Sequence, residues 1–461
     1  MKTAALLCGA ASLVVANLVT AKDFSFEFKT LSADEVMNFP GGYGTYGRLQ
    51  TKKPAELKKE PDAISKRPLY GQFGVATNEN VFLYRLDESK GNAMGYDRLV
   101  VDLNQNGDLT DDAVCKPADL PKAPSAMSSD YEQAVFGPIQ MPANKKVGPW
   151  QPVVFAQMSL YNRKLLSEDS ERNLFIGQLR VKSGWYLETL VNLPGVKQKV
   201  GLVDGDCNLR LGEPWKSMTY TNEDGVNWYF SPRDSYLVDA DKSGRFENNP
   251  FGSEYTAVGP VIYLGPLPYR VALAADLKSI NVEPWTGPLA ELVLKPIGDQ
   301  VQKLTLASEN VPGQWGLMEV DVLKGKAKVP PGTYRFYGCQ VEGRAAKLER
   351  IRASATKRIF KDTFTAEAGK SMSLTCGAPM EIRVAAAWQP NYVVENGVYR
   401  ELPPSPTNRV LRINASVVGT AGEGYHTYGI GKDFSKDPPK PVFTVKTPEG
   451  KQLLTGNLEY G

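Results

Sequence analysis

The feature that most constrains this chain is its punctuation. Short β-branched and aromatic runs are cut repeatedly by Gly, Pro, Asn and Asp, and no stretch sustains the 3.6-residue apolar period of a helix. Phe24-Ser-Phe-Glu-Phe28 alternates apolar and polar residues, as a half-buried strand does. The runs at 81–86, 98–101, 177–181, 185–191 and 197–203 follow, with turns at Lys182-Ser-Gly184 and Asn192-Leu-Pro-Gly195. Further runs lie at 304–306, 318–322, 333–337, 372–375, 410–418 and 442–445. Such spacing predicts a mainly β, multi-domain protein. The one helix signal is Ser32-Ala-Asp-Glu35, a capping box that could open a brief helix through Met37.

Length and turn signals divide the 461 residues into regions. Residues 1–21 read as a secretory signal: Lys2, an apolar stretch over 4–19, and a small-residue cleavage site at Val19-Thr20-Ala21. A single membrane anchor is the alternative for that stretch. Residues 22–68 form an N-terminal segment that ends in a charged, Pro-containing loop at 51–68. A β-rich domain with carboxylate-bearing loops is expected over 69–285. Two β-sandwich modules, Ig-like or fibronectin-like in pattern, are expected over 286–378 and 379–461. No other run approaches the roughly 18 apolar residues of a spanning helix, so no membrane span is expected in the mature chain, and the expected location is secreted or periplasmic.

Composition excludes several chemistries. Lys and Arg number 54 against 51 Asp and Glu, which argues against nucleic acid as a partner. His426 is the only histidine, so a zinc site built on two or three imidazoles is excluded. Beyond Cys8 in the signal, four cysteines remain: Cys115, Cys207, Cys339 and Cys376. An even number in an exported chain permits disulfides. Proximity favours Cys339–Cys376, then Cys115–Cys207, and four buried free thiols remain the alternative.

Oxygen chemistry is what the sequence spells out. Three segments run from an apolar strand end directly into alternating oxygen-bearing residues. Loop one holds Asp102, Asn104, Asn106, Gly107 and Asp108, with Asp111 or Asp112 to complete it. Loop two holds Asp204, Asp206, Asn208 and Arg210. Loop three holds Asp239, Asp241, Ser243, Gly244 and Arg245, with Glu247 as a further carboxylate. Side chains at positions 1, 3 and 5 of a tight curl converge on one point. Position 7 (Asp108, Arg210, Arg245) offers a backbone carbonyl, and Gly at position 6 permits the sharp turn. Loop two carries Leu209 where Gly is expected and reads as the degraded copy. Turns rich in Asp, Asn and Gly that hold no metal are the plain alternative.

These segments resemble the calcium loops of EF-hand and dockerin proteins, D-x-[DN]-x-[DN]-G, over about a dozen residues each. The resemblance implies Ca²⁺ as the ligand. It does not extend to the helices, because the flanks read as strands. Nor does it extend to the closing Glu, since position 12 is Ala113, Trp215 and Pro250. Residues 70–112 and 177–254 also resemble strand-rich calcium-loop modules of secreted bacterial proteins, a family with no established activity. The expected function is therefore a secreted calcium-binding β protein with a structural or binding role, its partner a protein or a glycan. The alternative is a calcium-stabilised extracellular hydrolase acting on glycans through paired carboxylates, such as Glu168/Asp169 or Asp111/Asp112.

Overall fold

The computed structural model describes residues 21–457, apart from 75–80, 92–94, 120–131, 144, 162–175, 223–224, 232, 250–251, 298–299, 312–313, 345–349, 357–362, 391, 396–397, 403–408, 432–435, 437–438 and 441. Residues 1–20 of the expected signal at 1–21, and the Glu168/Asp169 pair, lie outside the described residues. The fold is mainly β, with 56% strand and 3% helix in multiple antiparallel sheets. The helix Ala33–Asn38 forms where the capping box places it. Ser32 accepts the Glu35 N–H, and the Glu35 carboxylate accepts the Ser32 N–H at 2.8 Å.

Four sheets surround the first apolar core. One has the order Tyr255–Ala257, Ser235–Val238, Val196–Val203, Trp185–Leu193, Glu27–Thr30. A second runs Thr45–Arg48, Gly177–Ser183, Val153–Leu160, Glu132–Gln140, and a third Lys22–Ser25, Ser279–Pro284, Leu267–Leu273, Val261–Leu264. The fourth runs Leu69–Phe73, Phe82–Asp87, Arg98–Val101, Val114–Cys115. Alternation drives the packing. In Trp185–Leu193, Trp185, Leu187 and Val191 are buried while Leu190 and Asn192 on the opposite face are exposed. Trp185, Leu202, Tyr236, Leu99, Phe136 and Ile280 meet in one cluster. Each large side chain buried there contributes roughly 2 kcal/mol.

A second core lies between two further sheets. The larger has eight strands. Seven follow the order Gln314–Asp321, Val301–Val311, Gly332–Arg344, Arg350–Thr356, Gly424–Ile430, Arg409–Val418, Glu381–Pro390, and Phe364–Ala366 also pairs with Gly332–Arg344. The smaller has the order Lys326–Val329, Ala290–Lys295, Ser371–Thr375. Leu292, Leu304, Val320, Val329 and Phe336 fill the space between. The boundary expected at 378 falls within this arrangement, because Arg350–Thr356 pairs with Gly424–Ile430 in one sheet. All four cysteines of the described chain are free thiols, so neither expected disulfide is present. Among the described residues, no helix is long and apolar enough to cross a membrane.

Candidate metal centres

Each acidic loop begins where an apolar strand ends. Arg98–Val101 delivers Asp102, Val196–Val203 delivers Asp204, and Ser235–Val238 delivers Asp239. The sheet thereby fixes the direction of each leading carboxylate. Asp102 accepts the N–H groups of Asn106 at 3.1 Å and Gly107 at 2.9 Å. Asp204 does the same with Asn208 at 3.1 Å and Leu209 at 2.9 Å, and Asp239 accepts Gly244 N–H at 2.9 Å. Position 3 binds the N–H of position 5: Asn104 from Asn106 at 3.1 Å, Asp241 from Ser243 at 2.8 Å. Position 5 binds the N–H of position 7: Asn106 from Asp108 at 2.6 Å, Asn208 from Arg210 at 2.8 Å, Ser243 from Arg245 at 3.3 Å. These side chain-to-backbone bonds wind all three backbones around their own acidic residues.

The backbone angles repeat as well. Position 4 is left-handed in Gln105 (φ 58°), Cys207 (57°) and Lys242 (62°). Position 6 is left-handed in Gly107 (77°), Leu209 (59°) and Gly244 (84°). Leu209 therefore makes the turn that was expected to need Gly, and loop two has the geometry of the other two. The conformation costs a residue with a Cβ about 1 kcal/mol. Leu209 is 2% exposed and packed in the first core. Burying a Leu gains roughly 2 kcal/mol, which offsets that strain.

A neighbouring strand closes each loop with a carboxylate. The register Leu99↔Cys115, Val100↔Val114, continued two residues, sets Asp112 opposite Asp102. The register Val203↔Ser235 sets Asp234 opposite Asp204. The register Leu237↔Tyr255 sets Glu254 opposite Val238, one residue short of Asp239, and the longer Glu side chain spans the difference. One oxygen from each of Asp204, Asp206 and Asp234 lies within 4.8 Å of the others, and so do those of Asp239, Asp241 and Glu254. Asp112 accepts Leu103 N–H at 3.2 Å, and Asp234 accepts Glu213 N–H at 2.8 Å. Glu254 accepts the N–H groups of Ala240 and Glu247, each at 2.8 Å.

Asp234 and Glu254 escape a reading confined to the loops, because they come from other strands. Glu247, expected as a ligand, is exposed, and its backbone N–H serves Glu254. Asp111 accepts the amide N–H groups of Asn104 at 3.1 Å and Asn106 at 2.9 Å. Asp108 points its carboxylate to Lys59 at 2.9 Å. Its hydrogen bonds with Thr110 and Lys59 hold it down to about 2. Its carbonyl, not its side chain, is the group left for the loop.

Buried carboxylate oxygens crowd together at these centres. Asp112 Oδ2, Asp206 Oδ1, Asp234 Oδ1 and Asp239 Oδ1 are all buried without a hydrogen-bond partner. Asp234 is 0% exposed, Asp204 1% and Asp239 4%. Burial, then the charge of Asp206, pushes Asp204 well up. Burial, then Asp204, does the same to Asp234. Asp206 is raised by burial although Arg233 opposes it, and Arg233 spends its ion pair on Glu213 at 2.7 Å. Burial pushes Asp112 up to about 6, with Asp102, Asp111 and Asp108 adding their charge against the Leu103 N–H. Burial also raises Glu254. A buried oxygen left without a partner costs about 1–3 kcal/mol, more when charged.

A hard divalent cation fits this donor set. Each loop offers carboxylate, amide or hydroxyl oxygens with no nitrogen or sulfur donor required. Outside the loops, His426 is exposed and its Nδ1 lies 2.9 Å from Thr427 Oγ1. No family model, curated protein or solved structure matches this chain.

Proposed function

We propose that this chain is an exported calcium-binding β protein in which the ions fix three strand-end loops of a structural or binding scaffold. The observation that carries the reading is the set of buried carboxylate oxygens lacking partners at the loop centres. Carboxylates crowded in this way need positive charge, and no basic side chain supplies a hydrogen bond to those oxygens. Loop two would bind through Asp204, Asp206, Asn208, the Arg210 carbonyl and Asp234. Loop three would use Asp239, Asp241, Ser243, the Arg245 carbonyl and Glu254. Loop one would use Asp102, Asn104, Asn106, the Asp108 carbonyl and Asp112. With fewer carboxylates, loop one should bind most weakly, toward the 10⁻⁴–10⁻³ M range of extracellular modules.

Terbium, which takes calcium sites and emits when an aromatic ring beside it is excited, tests this directly. Trp215 is 9% exposed and its indole N–H donates to the Asp234 carbonyl at 2.9 Å. Indole excitation should give terbium emission that millimolar calcium quenches and that Trp215→Phe greatly weakens. Absence of sensitised emission at saturating terbium would sink the assignment at loop two.

A further inference from the structure

A cleft runs between the third sheet and the eight-stranded sheet. It encloses about 450 Å³, within the roughly 300–1,000 Å³ of small-molecule sites. One wall is the outer face of the third sheet, and alternation sets it. Tyr269, Val271, Ile280 and Val282 are buried in the first core, so Arg270, Asn281 and Glu283 line the cleft. Trp285 N–H still pairs with the Pro268 carbonyl at 3.2 Å, which carries the same face on through the indole. The facing wall holds Met318 of Gln314–Asp321, with Pro330 and Pro331 ahead of Gly332–Arg344.

The polar groups of the cleft are already in place. Arg270 and Glu283 lie directly opposite each other in the strand register. The Arg270 guanidinium sits over the Trp285 ring, 4.5 Å from its centre. Among the described residues, neither Arg270 nor Glu283 has an ion-pair partner. The Asn281 amide is held by its N–H bond to Asp23 at 2.8 Å.

We infer that this cleft binds a neutral oligosaccharide. Fixed charges of both signs select it. An anion drawn to Arg270 would lie beside Glu283, and a cation drawn to Glu283 would lie beside Arg270. A sugar hydroxyl satisfies both, since it donates to the carboxylate and accepts from the guanidinium. A zwitterion also matches the signs, but it must shed water from two charges, whereas a hydroxyl is neutral. The C–H faces of a sugar ring suit the Trp285, Met318 and proline surfaces. Because Arg270 and Asn281 are held before the ligand arrives, little side-chain freedom is lost on binding. The cleft gives the binding side of the scaffold a ligand class, and it uses none of the residues assigned to calcium.

The test is calorimetric titration of the full chain in calcium with maltohexaose, cellohexaose, xylohexaose, mannohexaose and chitohexaose. Hexagalacturonate and triglycine serve as the anionic and zwitterionic probes. The expected result is binding of at least one neutral hexasaccharide in preference to either charged probe. Arg270→Ala and Glu283→Ala should each weaken it by about tenfold or more, through loss of a charge-assisted hydrogen bond, with an unchanged melting temperature. No binding of any neutral hexasaccharide, tighter binding of hexagalacturonate or triglycine, or full affinity in both variants would overturn the inference. Calcium stoichiometry measured on the same samples separates the two readings, since both variants should keep every equivalent of the parent.

Discussion

Loops one and two solve the same problem with different residues. Loop one has Gly107 at the turn and two amides among its donors, whereas loop two has Leu209 at the turn and three clustered carboxylates. By loop sequence alone, loop one is the better calcium motif. By geometry, loop two is at least its equal, with the same left-handed turn and a more buried set of acids. A Leu can hold a turn that favours Gly when its side chain gains a core. Loop one carries its closing carboxylate, Asp112, within its own sequence, whereas loop two takes Asp234 from the start of the strand that pairs with the one feeding it.

The largest effects should come from those cross-strand acids. Asp234→Asn should remove one calcium equivalent, and Glu254→Gln another. With calcium at 100 times its dissociation constant, the lost site forfeits about 2.7 kcal/mol of stability. In chelator the sign should reverse, because the Asn relieves a buried charge that had no counterion. Melting curves with and without calcium check both halves. If Asp234→Asn lowers the melting temperature equally in the two conditions, Asp234 is a structural residue only.

Next in size is Leu209→Gly. Removing a buried Leu costs about 2–5 kcal/mol, and relief of the left-handed strain returns about 1. Stability should therefore fall, by about 1–4 kcal/mol, while calcium stoichiometry stays unchanged. Loss of an equivalent would show that the turn residue matters more than the comparison allows. Glycine substitutions should then rank the other two loops. A Cβ at Gly107 would meet the Glu56 carbonyl at 2.5 Å, whereas one at Gly244 meets nothing within 4 Å. Gly107→Ala should thus cost more in chemical denaturation than Gly244→Ala, which should lose only about 1 kcal/mol for its positive φ. The smallest effect belongs to Glu247→Gln, with calcium affinity within about twofold of the parent, since that exposed side chain lies outside the carboxylate group.

Much of this was legible in the residues. Period-2 alternation and turn punctuation gave the β class, the capping box gave the helix, and the D-x-N-x-N-G and D-x-D-x-S-G spacings gave the loops. Asp234 and Glu254 were not legible because register sets them. Each precedes a short strand, in Arg233-Asp-Ser-Tyr236 and Ser253-Glu-Tyr-Thr256, and becomes a candidate only once that strand is known to pair with the one feeding the loop. A search for an acidic residue just ahead of a β run, paired with each loop, would have found both. The boundary expected at 378 followed from turn signals, which cannot reveal that Arg350–Thr356 and Gly424–Ile430 pair across a long separation.

Three strand-end loops, each closed by a carboxylate on the opposing chain segment, are the proposed calcium sites. Calorimetric titration of chelator-stripped protein with calcium chloride tests this assignment most directly. The expected result is three equivalents in the parent chain, two tighter than the third, falling to two in Asp234→Asn and to one when Glu254→Gln is added. A parent chain that shows no binding heat and no change in melting temperature at 10 times the expected millimolar dissociation constant would contradict it.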